Sequence, residues 1–314
     1  MNILITGATG SGGSYLVDFI SKLNPNYNIF GTTRWHSTTS DKNIKDGQVT
    51  LLSCDLCDFS TVVRVLKQSK PDFIFHLASL ANVKDGWDNP LTTINNNIMG
   101  TANLLEAIRI CEINPVFQLC STSEVYGIVN PENVPIDENC PLNPANPYAV
   151  SKLTQDCLGY VYFKSYGLKI IRTRMFSYIN PRRSDLFATS FAKQIAKIER
   201  GEQEVLNHGN LNSVRTLIDV RDAMESYWYA SNFGIPGEVY NIGGKTSATV
   251  GEILDKLKTM AKITIKTRLD SSLLRPVDVT LQIPDTTKFF IQTGWEPRYT
   301  LDESLEFLMS SVRM

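Results

Sequence analysis

A chain of 314 residues, 42% hydrophobic and 20% charged, has the apolar material for one large globular unit or two modest domains. With 31 basic against 32 acidic residues the net charge is −1, so no basic excess points to nucleic acid or to an acidic membrane surface. No apolar run is long enough to span a bilayer, and the opening MNILITGATG reads as strand and turn rather than leader, which suits a cytoplasmic small-molecule enzyme.

Strand and helix patterns alternate through the first half. Residues 2–6 form a short apolar strand, 7–13 a glycine-rich turn, and 14–23 carry apolar residues at helical spacing. Strands are predicted at 27–33, 49–54, 72–77 and 116–121, with helices at 59–69 and 94–110. After a Pro/Asn-rich loop at 130–147 come a helix at 148–166 and a strand at 169–175. This rhythm predicts an α/β fold, a Rossmann-type doubly wound parallel sheet whose strand ends share one ligand-binding edge. Beyond 181 the order loosens, with helices expected at 185–200, 220–232, 250–261 and 301–309 and short strands near 203–206, 237–242 and 263–267. The expected division is a nucleotide-binding domain over 1–174, with 207–245 returning to it. A smaller C-terminal α+β substrate lobe takes 175–206 and 246–314, with a cleft between the two.

Six cysteines are scattered along the chain. Cys54 and Cys57 make a lone CxxC with no second pair beside it, so no metal site is expected.

The turn Gly7-Ala8-Thr9-Gly10-Ser11-Gly12-Gly13 contains GxxGxxG between the first strand and the first helix. Glycines there let backbone amides approach a pyrophosphate at a helix N-terminus, so Gly7, Thr9, Gly10, Gly12 and Gly13 are candidate cofactor contacts. An NAD site usually ends its second strand with an acid for the ribose hydroxyls. Here that stretch reads Gly31-Thr32-Thr33-Arg34, and Arg34 could pair with a 2′-phosphate, which favours NADP. Asp55 and Leu56 are placed for the adenine edge, and Leu77 and Ala78 for ribose and pyrophosphate. His76 suits a structural role as well as a contact.

After the fifth strand comes Ser121-Thr122-Ser123-Glu124, and later Tyr148-Ala149-Val150-Ser151-Lys152. The i, i+4 spacing puts Tyr148 and Lys152 on one helix face, where an ammonium should favour the phenolate. Glu124 adds a second acid/base group.

With these motifs the chain resembles, over essentially its whole length, the extended short-chain dehydrogenase/reductases, and within them the GDP-mannose 4,6-dehydratases. The closer likeness lies in Gly13-Ser14-Tyr15-Leu16, residues 121–127, Asn180-Pro181-Arg182-Arg183, Gly209-Asn210-Leu211, Leu274-Arg275-Pro276-Val277-Asp278-Val279 and Thr293-Gly294-Trp295-Glu296-Pro297. The resemblance implies that Tyr148, helped by Lys152 and Thr122, deprotonates the sugar C4 hydroxyl as hydride passes to NADP+. Glu124 then moves the C5 proton onto the departing C6 hydroxyl, and the hydride returns to C6. A reductase of GDP-4-keto-6-deoxy sugars shares several of these motifs and is the alternative, with a non-catalytic NADP-binding regulator behind it.

For the GDP-sugar, the resemblance implies Arg215, Arg275 and Asp278 at the nucleotide and Ser79, Ser123, Ser177 and Asn180 toward the sugar. Relatives usually have Asn where Ser177 stands and Ser where Gly86 stands, which touches sugar identity more than reaction type. A homodimer through the 94–110 and 148–166 helices is implied. A homotetramer stays open, although no segment that would interlock four subunits is evident around 35–47.

Overall fold

The computed structural model describes residues 1–34, 44–45 and 47–314. The interlocking segment sought around 35–47 therefore falls largely outside the described residues.

The first half runs β1 (Asn2–Thr6), α1 (Gly13–Leu23), β2 (Asn28–Thr33), β3 (Thr50–Ser53), α2 (Phe59–Ser69), β4 (Phe73–His76), α3 (Val83–Asp88), α4 (Pro90–Ile110), β5 (Val116–Thr122), α5 (Pro147–Tyr166) and β6 (Ile170–Met175). The second half adds β7 (Tyr178–Ile179), α6 (Phe187–Glu199), β8 (Leu206–His208), β9 (Val214–Thr216), β10 (Ile218–Asp219), α7 (Val220–Phe233), β11 (Val239–Ile242), β12 (Ser247–Thr249), α8 (Val250–Thr259), β13 (Thr267–Leu269), β14 (Leu281–Gln282), α9 (Thr287–Thr293) and α10 (Leu301–Arg313).

Seven strands form one parallel sheet in the order β3-β2-β1-β4-β5-β6-β11, as the alternation predicts. Successive side chains of β1 go to opposite faces. Ile3 and Ile5 pack with Leu16, Ile20 and Tyr227 from α1 and α7, while Leu4 packs with Val62, Leu66 and Leu104 from α2 and α4. Both faces are thus covered by helices, which is why β1 is apolar at every inward position. The strand order reverses between β1 and β4, and the register pairs Thr6 with His76 and Thr122 with Met175, aligning strand ends along one edge.

The second lobe packs α6, α8 and α10 around Phe191, Ile195, Ile253, Leu257, Leu305 and Leu308. The chain divides later than the sequence suggests. Residues 206–216 pair inside this lobe, β8 with β13 and β9 with β12 and β14, and the return to the large sheet comes with α7 and β11. Helix α9 also turns back, burying its Phe289, and Trp295 just beyond it, in the first core. Helices α3 and α9 are absent from the sequence expectation because each buries a single residue and so shows no apolar period. No helix among the described residues is long and apolar enough to cross a membrane.

Candidate active site

A cleft of ≈ 1770 Å³ follows the C-terminal edge of the sheet and passes under the second lobe. Every residue expected to touch cofactor or sugar nucleotide lines it, with the exception of Asn180.

At one end lies the glycine turn. Gly7 sits at φ +70°, a conformation that side-chain-bearing residues seldom adopt, and its amide donates to Thr32 Oγ1 at 3.2 Å. A Cβ on Gly13 would stand 2.2 Å from the Gly7 carbonyl oxygen, so only glycine closes this turn onto α1. The N-cap of α1 is Gly12, which offers no side-chain acceptor. Among the described residues the amides of Ser11, Gly12 and Gly13 find no acceptor, leaving donors for an anion. Arg34, exposed, lines the same cleft, Asp55 and Leu56 line it from the end of the neighbouring strand β3, and no carboxylate ends β2. This donor set fits a dinucleotide with a 2′-phosphate.

Beneath the turn is a buried polar network. Ala78 N donates to Thr6 Oγ1 at 3.2 Å, and Thr6 Oγ1 meets His76 Nδ1 at 2.8 Å. His76 Nε2 meets Thr101 Oγ1, also at 2.8 Å, and Thr101 gives its one hydroxyl proton to the Asn97 carbonyl. His76 Nε2 must therefore be the donor and Nδ1 the acceptor, a neutral ring satisfied at both nitrogens. Burial pushes the His76 imidazole down to about 3, with the Lys152 charge acting in the same direction. His76 does not line the cleft, and its role is structural. Asn97 extends the network, accepting from Leu80 N at 2.8 Å and donating to Leu80 O at 3.1 Å and to Ser151 Oγ at 2.9 Å. The 77–81 loop and the catalytic helix α5 are thereby fastened to one side chain.

At the centre, Tyr148 and Lys152 rise from α5, facing Thr122 and Glu124 at the end of β5. Lys152 donates to the Cys120 carbonyl, and burial lowers its ammonium below the usual lysine range, opposed by Cys120 and Asp156. Burial raises the Tyr148 phenol well above the usual tyrosine range, and the nearby cation that opposes it is Arg183. Desolvation penalises the phenolate more than the neighbouring guanidinium recovers. Thr122 and Glu124 both lie close enough to act on the Tyr148 phenol, Thr122 lowering it and the Glu124 charge raising it.

Glu124 faces the cleft with both oxygens held: Asn146 Nδ2 donates to Oε2 at 2.9 Å and Gln282 Nε2 to Oε1 at 3.2 Å. Asn146 is also the N-cap of α5, its Oδ1 accepting from Ala149 N at 2.8 Å.

On the lobe side, Arg215 is buried, with its guanidinium donating to the carbonyls of Val214 (2.9 Å) and Val279 (2.6 Å) and standing 3.8 Å from Asp278. Burial holds it below the usual arginine range, against the charges of Glu124 and Asp278. Asp278 accepts from Asn210 (2.7 Å) and Ser213 (2.9 Å), and Arg275 is exposed at the cleft wall. Ser79, Ser123 and Ser177 also line the cleft.

Two sequence expectations change. Asn180 is fully buried and directs its side chain elsewhere, Nδ2 donating to Ser11 O at 3.1 Å and Oδ1 accepting from Arg182 N at 2.9 Å. It braces the glycine turn instead of meeting the sugar. Gly86 does not line the cleft either: a Cβ there would lie 3.3 Å from Tyr148 Cβ, so its smallness lets α3 rest on Tyr148.

Sequence reasoning passed over Asn146, Gln282, Asn97 and Arg183. Arg183 stood inside a recognised motif and Asn146-Pro147 is a legible helix start, but their partners are remote in sequence. Arg183 donates to Ala81 O at 2.7 Å and to Asp185 at 3.0 Å.

Comparison with known proteins follows this geometry. The family described as GDP-mannose 4,6 dehydratase matches residues 4–307. GDP-mannose 4,6-dehydratase of Yersinia enterocolitica is 31% identical, the match covering 96% of this chain and 90% of that protein. GDP-6-deoxy-D-mannose reductase of Pseudomonas aeruginosa is 30% identical, over 76% of this chain and 80% of the relative. The solved structure of RMD from Pseudomonas aeruginosa complexed with NADPH superposes with a TM-score of 0.86 at 25% identity, covering 100% of this chain and 99% of that one. The chain belongs to the GDP-mannose 4,6-dehydratase family.

Proposed function

We propose that the protein dehydrates GDP-mannose to GDP-4-keto-6-deoxymannose with NADP(H) as its resident cofactor. The observation that carries this reading is Glu124: a carboxylate in the cleft, two residues from Thr122 and within electrostatic reach of Tyr148. Oxidation or reduction at C4 needs only the tyrosine, lysine and hydroxyl, whereas elimination of water needs a further acid/base group. When bound, NADP+ would supply the acceptor for hydride from the sugar C4 and its donor at C6, and a cationic ring that would favour the Tyr148 phenolate.

The amides of the glycine turn and Arg34 would hold the cofactor's phosphates. Tyr148 Oη accepts the C4 hydroxyl proton, with Thr122 Oγ1 aligning the same oxygen. Glu124 takes the proton from C5, made acidic by the neighbouring ketone, and passes it to the C6 hydroxyl, which leaves as water. Arg215 and Arg275 face the GDP phosphates, Asp278 the ribose, and Ser79, Ser123 and Ser177 the sugar. The likeness to the dehydratase over nearly the whole chain supports the same assignment. Exposed Leu91 and Met99 on α4 and Val150 and Val161 on α5 support a homodimer through those helices.

The test is incubation of the pure protein with GDP-mannose and substoichiometric NADP+. A product lighter by one water, with no net consumption of reduced cofactor, is expected. Stoichiometric oxidation of NADPH by a 4-keto sugar nucleotide, without dehydration of GDP-mannose, would assign the reductase instead.

A further inference from the structure

Glu124 sits in an unusual electrostatic setting for a carboxylate beside an arginine. Arg215, whose charge acts on it, turns its guanidinium to the Val214 and Val279 carbonyls. Glu124 is held instead by two neutral amides, Asn146 on one oxygen and Gln282 on the other. Two donors on separate oxygens fix the direction in which the carboxylate points.

Gln282 comes from the second lobe, 158 residues along the chain from Glu124. It is 3% exposed and lies on β14 opposite Arg215 in the register. The residues after it are tied to the loop that precedes α5: Ile136 N donates to Ile283 O and Asp285 N to Ile136 O, each at 2.8 Å. Its side chain is therefore delivered by a braced strand and not by a free loop.

We infer that Gln282 is a positioning residue for water elimination, setting the Glu124 carboxylate between sugar C5 and C6; this rests on the dehydratase reading above. In that step the C5–H bond breaks and its proton passes to Glu124. The C5–C6 double bond forms as the C6–O bond breaks, and the same proton joins the departing hydroxide as water, leaving the carboxylate as it began. One group must serve two adjacent carbons, so its direction matters more than in a single proton transfer. The earlier oxidation at C4 runs through Tyr148 and makes no use of Gln282.

The experiment compares wild-type protein with Gln282→Met, which fills similar volume without donating, using GDP-mannose and NADP+. Product mass, kcat, KM and the absorbance of reduced nicotinamide during turnover are followed. The expected result is a kcat lower by about tenfold or more, from loss of a hydrogen bond to a charged group. KM should stay within about twofold, and reduced nicotinamide should accumulate because oxidation outruns elimination. Asn146→Ser gives a second arm, since serine still caps a helix but is too short to reach Glu124, and it should show the same accumulation. Wild-type kcat in Gln282→Met, or joint loss of cofactor binding and C4 oxidation, would overturn the inference while leaving the dehydratase reading intact. Failure of the wild-type protein to dehydrate GDP-mannose would instead remove that reading, and the inference with it.

Discussion

Asn146 joins the two halves of the chemistry: its carbonyl oxygen caps the helix that bears Tyr148, and its amide grips Oε2 of Glu124 at 2.9 Å. Tyr148 and Glu124, to which the proposed mechanism gives successive steps, therefore share one reference point. Geometry this tight means that substitutions at the two groups should separate the steps cleanly.

Glu124→Gln keeps the shape of the side chain and removes the base. Cofactor binding should be unchanged, while dehydration falls by about 10²–10⁴-fold, the usual range for loss of a positioned acid/base group. Mass analysis of the sugar nucleotide reads this directly, and unimpaired dehydration would rule out the mechanism.

Tyr148→Phe should block the cycle earlier. No reduced nicotinamide should appear in a single turnover with GDP-mannose, whereas Glu124→Gln should still produce it. Absorbance after rapid mixing distinguishes the two variants.

Arg34→Ala should weaken NADP+ far more than NAD+. A hydrogen bond to a charged phosphate is worth ~1.5–3 kcal/mol, so the NADP+ dissociation constant should rise about 10–100-fold. Equal losses for both dinucleotides, measured by calorimetry, would place the 2′-phosphate elsewhere.

Gly86→Ala introduces a Cβ at 3.3 Å from that of Tyr148, in a packed contact between α3 and α5. Overpacking of this kind typically costs ~1–3 kcal/mol. The effect should appear in kcat through displacement of Tyr148 and as a lower unfolding midpoint. A crystal structure of the variant would show which helix yields.

His76 makes the fold acid-sensitive. Its imidazole is lowered to about 3 by burial, against an ordinary 6.5, so between those values the unfolded chain binds the extra proton. Stability from this residue is complete above pH 6.5 and is lost as pH falls toward about 3, by at most about tenfold in the folding constant per pH unit. Urea midpoints measured across this range should fall less steeply in His76→Gln than in the wild type.

The sheet, the glycine turn and the set of residues that meet in the cleft were legible because each is a local pattern: alternating strand and helix periods, a turn between the first strand and helix, a tyrosine and lysine one helical turn apart, a carboxylate two positions from a threonine. Short-range geometry dictates such features whatever the rest of the chain does. Only the tertiary structure could show that Asn180 braces Ser11 across 169 positions, that the Arg183 charge opposes the rise of Tyr148, or that Gln282 holds Glu124. Burial and long-range hydrogen bonding belong to the packed chain as a whole, and neither leaves a period or spacing in the sequence.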